Sequence, residues 1–457
     1  MGADTAMLKK VLIANRGEIA VRVIRACREL GVRTVVAYSE ADRDSLPVRM
    51  ADESFCIGPA PSSQSYLNIP NIITAAILTE CDAIHPGYGF LSENPTFAEV
   101  CAENGKIFIG PPADVIATMG DKVQAREAMR AAGLPLLPGT AILRNLTEGE
   151  EAARRIGFPL MLKAAAGGGG RGIRLVRRPE EFAQVFATAQ SEVREAFHDD
   201  GLYLEKYMER ARHVEIQVLC DNFGHGIHLG ERNCSVQRRH QKLLEESPSP
   251  GLPDELRREM GERGVRAVLA IGYRGVGTLE FLLDQDGSYY FMEMNTRLQV
   301  EHPVTEWVTG IDLVHWQLRV AADQPLLLTQ DDVRLRGHAI EFRITAEDSE
   351  KDFRPQTGTI EGYLPPGGPG VRLDSHLYTG YDIPPHYDSL LAKLIVWAPT
   401  REAAIARGQR ALAEFVLEGV STTIPFHQAL LENSRFLRGD TYTNFLAEHA
   451  AELVAKR

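Results

Sequence analysis

The stretch that decides the reading is Gly277-Thr278-Leu279-Glu280-Phe281-Leu282-Leu283, then Asp284-Gln285-Asp286-Gly287-Ser288, then Tyr289-Tyr290-Phe291-Met292-Glu293-Met294-Asn295. An Asp-Gly pair between two apolar, β-rich runs signals a β-hairpin, because glycine tolerates the positive φ that tight turns need. With a two-residue Asp286-Gly287 loop and no bulge, Glu280 falls directly opposite Glu293. Opposed side chains have Cβ atoms about 5 Å apart, and like charges there destabilise a sheet. At an effective dielectric of about 20 the repulsion is roughly 3 kcal/mol. A divalent cation turns the same geometry into a site, since Mg2+ takes carboxylate oxygens together with substrate phosphates.

The polar face continues past the hairpin. Glu293, Asn295, Arg297, Gln299 and Glu301 share one parity, and Met294, Leu298 and Val300 the other. If the chain stays extended, period-two alternation puts the first set on one face. A solvated strand face favours Thr, Lys and Ser over opposed glutamates. The set therefore reads as a polar, metal-binding face.

The bulk properties set bounds on this. The chain has 457 residues, with 44% hydrophobic and 25% charged, room for roughly two to four ordinary globular domains. Fifty Lys+Arg against 62 Asp+Glu leave a net charge of −12. That argues against a nucleic-acid binder, which needs a basic surface. Six cysteines (27, 56, 81, 101, 220, 234) form no C-x-x-C pair, so reduced thiols and a cytoplasmic setting are expected. The N-terminal residues lack a secretory pattern, and no apolar run approaches ~18 residues, so no membrane span is expected.

Residues 10 to 38 read as β-α-β. A short apolar strand, Val11-Leu12-Ile13-Ala14, precedes helical spacing from Glu18 to Leu30, which stops at Gly31. The strand Thr34-Val35-Val36-Ala37-Tyr38 follows. This predicts a parallel sheet with helices outside, hence an α/β fold. The intervening turn, Asn15-Arg16-Gly17-Glu18, lacks G-x-G-x-x-G, so a dinucleotide site is unsupported. A first domain is expected to end near Pro111-Pro112, followed by one helical stretch from about 113 to 132. Residues 135 to 205 read as a small α/β unit, 254 to 270 and 401 to 415 as helices, and the region after about 336 as mixed.

Gly167 to Gly172 lie between two strand-like runs, Leu160-Met161-Leu162-Lys163-Ala164 and Ile173-Arg174-Leu175-Val176. A Walker loop would end in Gly-Lys-Ser/Thr and open a helix, and neither holds. A glycine-rich hairpin can still lay backbone N–H groups over phosphates, with Lys163 adding a charge. Glu205-Lys206-Tyr207-Met208 reads either as a plain strand end or as a hinge beside a base, with Met packing on it. The polar run from Glu231 to Lys242 reads as a solvated loop or as a basic arm folded over an anionic ligand.

Several motifs, in order, resemble one family. They are Ile13-Ala14-Asn15-Arg16-Gly17-Glu18-Ile19-Ala20, then His85-Pro86-Gly87-Tyr88-Gly89-Phe90-Leu91-Ser92-Glu93-Asn94, then Lys163 with the glycine run. Arg238-Arg239-His240-Gln241-Lys242 follows, and then Glu293-Met294-Asn295-Thr296-Arg297-Leu298-Gln299-Val300-Glu301-His302-Pro303. From about residue 7 to about 450 the chain is similar to biotin carboxylases. The glycine run alone points only to the wider ATP-grasp superfamily. The resemblance implies a Rossmann-like N-terminal domain (7–120), an ATP-grasp domain (121–335) with a mobile glycine-rich lid at about 135–205, and a mixed α+β C-terminal domain (336–452).

The resemblance also implies roles. Lys122, Lys163 and the lid residues Gly168, Gly169 and Gly170 hold ATP phosphates. Glu205, Lys206 and Met208 lie at the adenine, with His213, Gln237 and His240 near the ribose and phosphates. Glu280 and Glu293 bind two Mg2+ (or Mn2+) ions, with Asn295 beside the second. Lys242, Arg297, Gln299 and Val300 bind bicarbonate, Glu301 is the base, and Arg343 stabilises the biotin enolate. Tyr88 and Gly89 approach biotin. On spacing alone, Arg343 reads as an outward strand charge.

No Met-Lys-Met biotin-attachment signal and no carboxyltransferase-sized segment occur. Biotin is therefore expected on a separate biotin carboxyl carrier protein, with carboxyltransferase subunits and a homodimeric assembly. Acetyl-CoA carboxylase is the expected parent complex, although Phe353-Arg354-Pro355-Gln356-Thr357-Gly358 resembles pyruvate-type carboxylases about as well. Two rivals remain. Another ATP-grasp carboxylate–amine ligase would not need Arg297-x-Gln299-x-Glu301. A non-catalytic nucleotide sensor would bind ATP without turnover.

Overall fold

Residues 10–39 fold as the βαβ unit their pattern predicts: β1 (Lys10–Ile13), α1 (Gly17–Glu29) and β2 (Arg33–Ser39). Gly31, at φ +71°, ends the helix. With β3 (Glu53–Gly58), β4 (Ala83–His85) and β5 (Ile107–Phe108) they form a parallel sheet in the order β3-β2-β1-β4-β5. The strand order reverses between β1 and β4, so the turns following these strands meet at the carboxyl edge, where open α/β sheets hold ligands. Asn15 ties the two turns together, its Nδ2 donating to the carbonyls of Pro86 (2.7 Å) and Tyr88 (2.8 Å).

The computed structural model describes residues 7–164, 173–197 and 201–454. It divides into two compact units, one of Met1–Leu134, Arg212–Phe281 and Glu293–Arg457, the other of Pro135–Ala211 and Leu282–Met292. The smaller unit carries β6 (Leu160–Ala164), β7 (Ile173–Val176) and β8 (Leu202–Lys206) as an antiparallel sheet in the order β7-β6-β8. Leu160, Leu162, Leu202 and Leu204 bury its inner face against Phe182 and Phe186 of the helix Phe182–Phe197. The glycine run, with Gly168, Gly169 and Gly170, lies outside the described residues.

An eight-stranded sheet contains β9 (Arg212–Cys220), β10 (Gly226–Arg238), β11 (Gln241–Ser247), β12 (Gly275–Leu283), β13 (Tyr289–Asn295) and β14 (His338–Thr345). Its order is β13-β12-β9-β10-β11-β14, then the strands Leu390–Ala398 and Val371–Ser375. From β9 across to Val371–Ser375, neighbouring strands run antiparallel. The parallel N-terminal sheet and this antiparallel sheet together give the α/β architecture expected.

Four local expectations change. The helical stretch 113–132 is two helices, Ala113–Gly120 and Lys122–Ala131. Asp121 breaks it because its side chain accepts the N–H groups of Val123 and Gln124, both at 2.9 Å, and caps the second helix. The hairpin loop is three residues, Gln285-Asp286-Gly287, closed by Asp284 N–H to Ser288 O (2.8 Å) and Gly287 N–H to Asp284 O (3.2 Å), with Gly287 at φ +87°. Such a bulged turn takes one residue more than the two-residue form. The strands therefore leave it one position away from the register that opposes Glu280 directly to Glu293. Strand β13 stops at Asn295, so residues 296–301 form a loop rather than an extended face. The run from Glu231 is neither a solvated loop nor an arm, since Glu231 to Val236 are buried in β10.

Three buried histidines shape the acid response. His85 accepts the Gly87 N–H at Nδ1 (3.0 Å), and His427 Nε2 bonds the Arg343 carbonyl (2.9 Å). Burial lowers both imidazoles from 6.5 to about 4, and His376 to about 3. At these positions the unfolded chain thus binds more protons than the folded one between pH 6.5 and 4, and their contribution to stability is lost as pH falls through that window. Each histidine accounts for on the order of 1 kcal/mol per pH unit, while the buried Glu245 and Glu341, whose proton affinity is raised, act in the opposite sense. His427→Gln should therefore make the denaturation midpoint less sensitive to acid than that of the parent between pH 6.5 and 4. An identical pH dependence in the two proteins would contradict the burial argument.

Candidate active site

Strand β9 sends His213, Glu215 and Gln217 to one face by its alternation, and all three are buried. Strand β10 adds Arg232, β11 adds Lys242 and Glu245, β12 adds Glu280, and β14 adds Arg343. The loop after β13 brings Arg297, Gln299 and Glu301 to the same place. The centre is Lys242. Its ammonium bonds Glu215 Oε2 (2.6 Å), Glu280 Oε1 (2.9 Å) and Glu301 Oε1 (2.6 Å).

Arg232 lies beneath this cluster with no exposed surface. It donates to Glu215, to Gln217 Oε1 (2.7 Å), to Thr305 Oγ1 (2.9 Å) and to Thr278 Oγ1 (3.1 Å). A buried guanidinium so fully bonded is a structural counter-charge, not a free anion binder. Arg343 bridges Glu245 Oε1 (2.7 Å, from Nε) and Glu301 Oε2 (2.9 Å). Arg297 bonds Glu93 Oε2 (2.8 Å), Gln299 Oε1 (3.0 Å) and Asn295 Oδ1 (3.0 Å).

These contacts set the electrostatics. Burial pushes the Glu301 carboxyl up, but Lys242, Arg343 and Arg232 outweigh it and hold the group well below the usual range. For Glu280, burial is likewise overcome, by Lys242 and by His213, whose Nε2 lies 3.0 Å from Glu280 Oε2. Glu293 goes the other way: burial and the charge of Glu280 raise it, against His213 and Lys122. The two hairpin glutamates are thus electrostatically coupled. Asn295 Nδ2 donates to Glu280 Oε1 (2.9 Å), which Gln299 also reaches (3.4 Å). A carboxylate whose proton affinity rises because another faces it, with an amide oxygen nearby, suits a hard divalent cation.

Most site residues expected from the sequence converge here: Lys242, Glu280, Glu293, Asn295, Arg297, Gln299 and Glu301, with His213 and Arg343. Val300 contributes its carbonyl, which accepts from Lys393 (2.8 Å). Lys122 starts its helix and is exposed, Gln237 is half-buried near the end of β10, and His240 is exposed in the turn that follows at φ +65°. Tyr88 donates to Glu18, and Gly89 is exposed beside it. In the smaller unit, Lys163 pairs with Glu205. Lys206 Nζ is held by the carbonyls of Gly157 and Phe158, both at 2.9 Å. Met208 packs with Leu137, Ala211, Leu282 and Tyr290.

Sequence reasoning missed Glu215, Arg232, Glu245 and Glu93. A signal existed for the first: His213, Glu215 and Gln217 are polar at period two inside an apolar strand. No comparable signal marks Arg232, whose partners lie on three other elements.

Residues 7–116 match the family of the biotin carboxylase N-terminal domain, 121–329 that of the carbamoyl-phosphate synthase L chain ATP-binding domain, and 341–448 that of the biotin carboxylase C-terminal domain. A biotin carboxylase of Nostoc is 58% identical over 440 residues, covering 96% of this chain and 98% of that protein. This chain belongs to the biotin carboxylase family. One of the pyruvate carboxylase subunits of Methanothermobacter thermautotrophicus is 52% identical, over 98% of this chain and 92% of that one. The biotin carboxylase domain dimer of Hydrogenobacter thermophilus 2-oxoglutarate carboxylase, solved with MgADP, ADP and bicarbonate, superposes with a TM-score of 0.91 at 49% identity, over 98% and 99% of the two chains. As a biotin carboxylase, this chain is a ligase that uses ATP and bicarbonate to carboxylate biotin.

Glu293→Gln removes the charge that couples to Glu280 but keeps the shape. Turnover should fall by orders of magnitude with little change in the thermal midpoint. A normal magnesium-dependent rate would exclude Glu293 as a ligand.

Proposed function

We propose that the Lys242–Glu301–Arg343 cluster activates bicarbonate and then directs carboxyl transfer to biotin borne on a carrier protein. The observation that carries this reading is Glu301: wholly buried, ionised, and shared between two cations that an anionic substrate can draw away. While Lys242 and Arg343 both hold it, Glu301 is too acidic to be a good base. Bicarbonate and the ATP phosphates compete for Lys242, and each contact they take weakens its hold on Glu301. The carboxylate then gains basicity as substrate arrives, which suits general-base removal of the bicarbonate proton. Arg297 and Gln299 present donors beside it to orient the anion.

The deprotonated bicarbonate attacks the γ-phosphorus of ATP, giving ADP and carboxyphosphate. Magnesium, held by Glu280 and Glu293 with Asn295, would neutralise phosphate charge during this transfer. By resemblance to the family, Lys122 and Lys163 serve the phosphates, and Glu205, Lys206 and Met208 the adenine. His213, Gln237 and His240 serve the ribose and phosphates. Carboxyphosphate yields CO2 and phosphate; phosphate takes the ureido proton of biotin, and Arg343 holds the resulting oxyanion. Tyr88 and Gly89 line the biotin approach.

The domains implied are 7–120, 121–335 and 336–452. The partners are a biotin carboxyl carrier protein, carboxyltransferase subunits of an acetyl-CoA carboxylase, and a second copy of this chain, in the cytoplasm. Among the described residues no helix is long and apolar enough to cross a membrane. The similarity to a pyruvate carboxylase chain favours a second reading of the parent complex, with a different final acceptor.

Free-biotin carboxylation with labelled bicarbonate, Mg2+ and ATP tests the assignment. Glu301→Ala should abolish bicarbonate-dependent ADP release, and unchanged release would mean another base. Arg343→Ser should lower biotin carboxylation by about a hundredfold or more, as loss of an oxyanion donor does, and lower bicarbonate-dependent ATP cleavage much less. Equal losses would contradict its separate role.

A further inference from the structure

The turn Asn15-Arg16-Gly17-Glu18 takes no part in the chemistry above, yet it holds a buried carboxylate. Glu18 is 2% exposed and accepts the phenol of Tyr88. Its Oε1 lies 3.1 Å from the ammonium of Lys393, a side chain with no exposed surface. Lys393 stands on the strand Leu390–Ala398, paired across the sheet with Arg343. The same ammonium donates to the Val300 carbonyl at 2.8 Å. Asp374 Oδ2 is 3.9 Å away. One ammonium thus touches the residue before Glu301 and the acid that holds Tyr88.

The loop needs such a hold. Between the end of β13 at Asn295 and the helix His302–Thr309, no regular structure fixes the chain. The half-buried Val300 carbonyl there takes its donor from Lys393. A cation that also pairs with Glu18 gives that donor a fixed position, because moving it would strand a buried carboxylate.

We propose that Lys393 is a positioning residue for the carboxylation step. Through Val300 it sets the loop that carries Glu301, and through Glu18 it sets the hydroxyl of Tyr88, so base and biotin wall keep one register. This rests on the roles proposed above for Glu301 and Tyr88.

The test uses the full chain with Lys393→Met, Tyr88→Phe and the double variant. Biotin-free, bicarbonate-dependent ATP cleavage, the KM for free biotin and the thermal midpoint are measured for each. Lys393→Met should lower the kcat of ATP cleavage at least about tenfold, as misplacement of a reacting group does, and should raise the KM for biotin. Adding Tyr88→Phe should then raise that KM little further, because the hydroxyl has already lost its hold. Independent, multiplying effects on KM would overturn the proposal, as would a lowered midpoint with both kinetic constants within about twofold of the parent. If Lys393→Met does not fold, Glu18→Gln carries the test. It should raise the KM for biotin more than it lowers ATP cleavage, and an unchanged KM overturns the coupling. A parent protein unable to carboxylate free biotin would instead overturn the functional reading itself, and this inference with it.

Discussion

One ammonium organises the centre of the eight-stranded sheet. Lys242 lies within 3 Å of three buried carboxylates, Glu215, Glu280 and Glu301, each from a different element. Three such anions could not share a dry interior without it. Arg232 and Arg343 close the charge balance from below and from the side. Removing one partner of a buried pair typically costs about 3–5 kcal/mol, because the other is left uncompensated. The charges therefore constrain which residues of β9, β10, β11, β12 and β14 stand side by side, and apolar packing on the opposite face has to agree. Helix Arg401–Glu414 meets that demand at Gly408, where any Cβ would come within 2.8 Å of Phe342.

The same balance governs reactivity. A base that is buried, ionised and doubly paired is inert toward water, which protects the site between turnovers. Its pairing partners are also the groups that an anionic substrate seeks. Substrate entry and base activation are then one electrostatic event, not two. Lys242 is suited to this because an ammonium on a flexible stem can change partners, whereas the planar Arg232, bonded on four sides, cannot.

What could be read from the sequence follows from range. The βαβ opening, the helices at 254–270 and 401–414, and the hairpin strands are local patterns, and they formed. Polar parity along Glu293 to Glu301 grouped residues that the structure does bring together, but by another route: the strand ends at Asn295, and a loop delivers the rest. The hairpin register slipped by one because Asp284 and Asp286 capture neighbouring N–H groups, of Gln285 and Ser288, and favour the longer turn. Arg343 read as an outward charge because its partners, Glu245 and Glu301, are distant in sequence and only sheet pairing brings them near. Glu231 to Val236 looked solvated for the same reason. Arg232 is balanced by Glu215 of β9, and Glu231 by Arg257 of the helix Asp254–Ala270 and the Ser249 N–H, partners that composition alone cannot place.

Glutamates meet twice in this sheet, and the two cases show what burial decides. Glu245 on β11 is directly across from Glu341 on β14. Burial raises Glu245 to about 7 and Glu341 well above the ordinary range, and neither oxygen of Glu341 finds a hydrogen-bond partner. With no solvent in reach, that pair relieves its repulsion by retaining a proton, burial outweighing the opposing pull of Arg343 and Lys393. Glu280 and Glu293 face a similar repulsion, but Glu293, though hemmed in enough for its proton affinity to rise, keeps part of its surface open to solvent. There a hydrated cation can arrive, exchange water for carboxylate oxygen and bring phosphate with it. Two acids brought together in a strand pair do not by themselves signal a metal site. Access to solvent on one of them separates a cation ligand from a proton store.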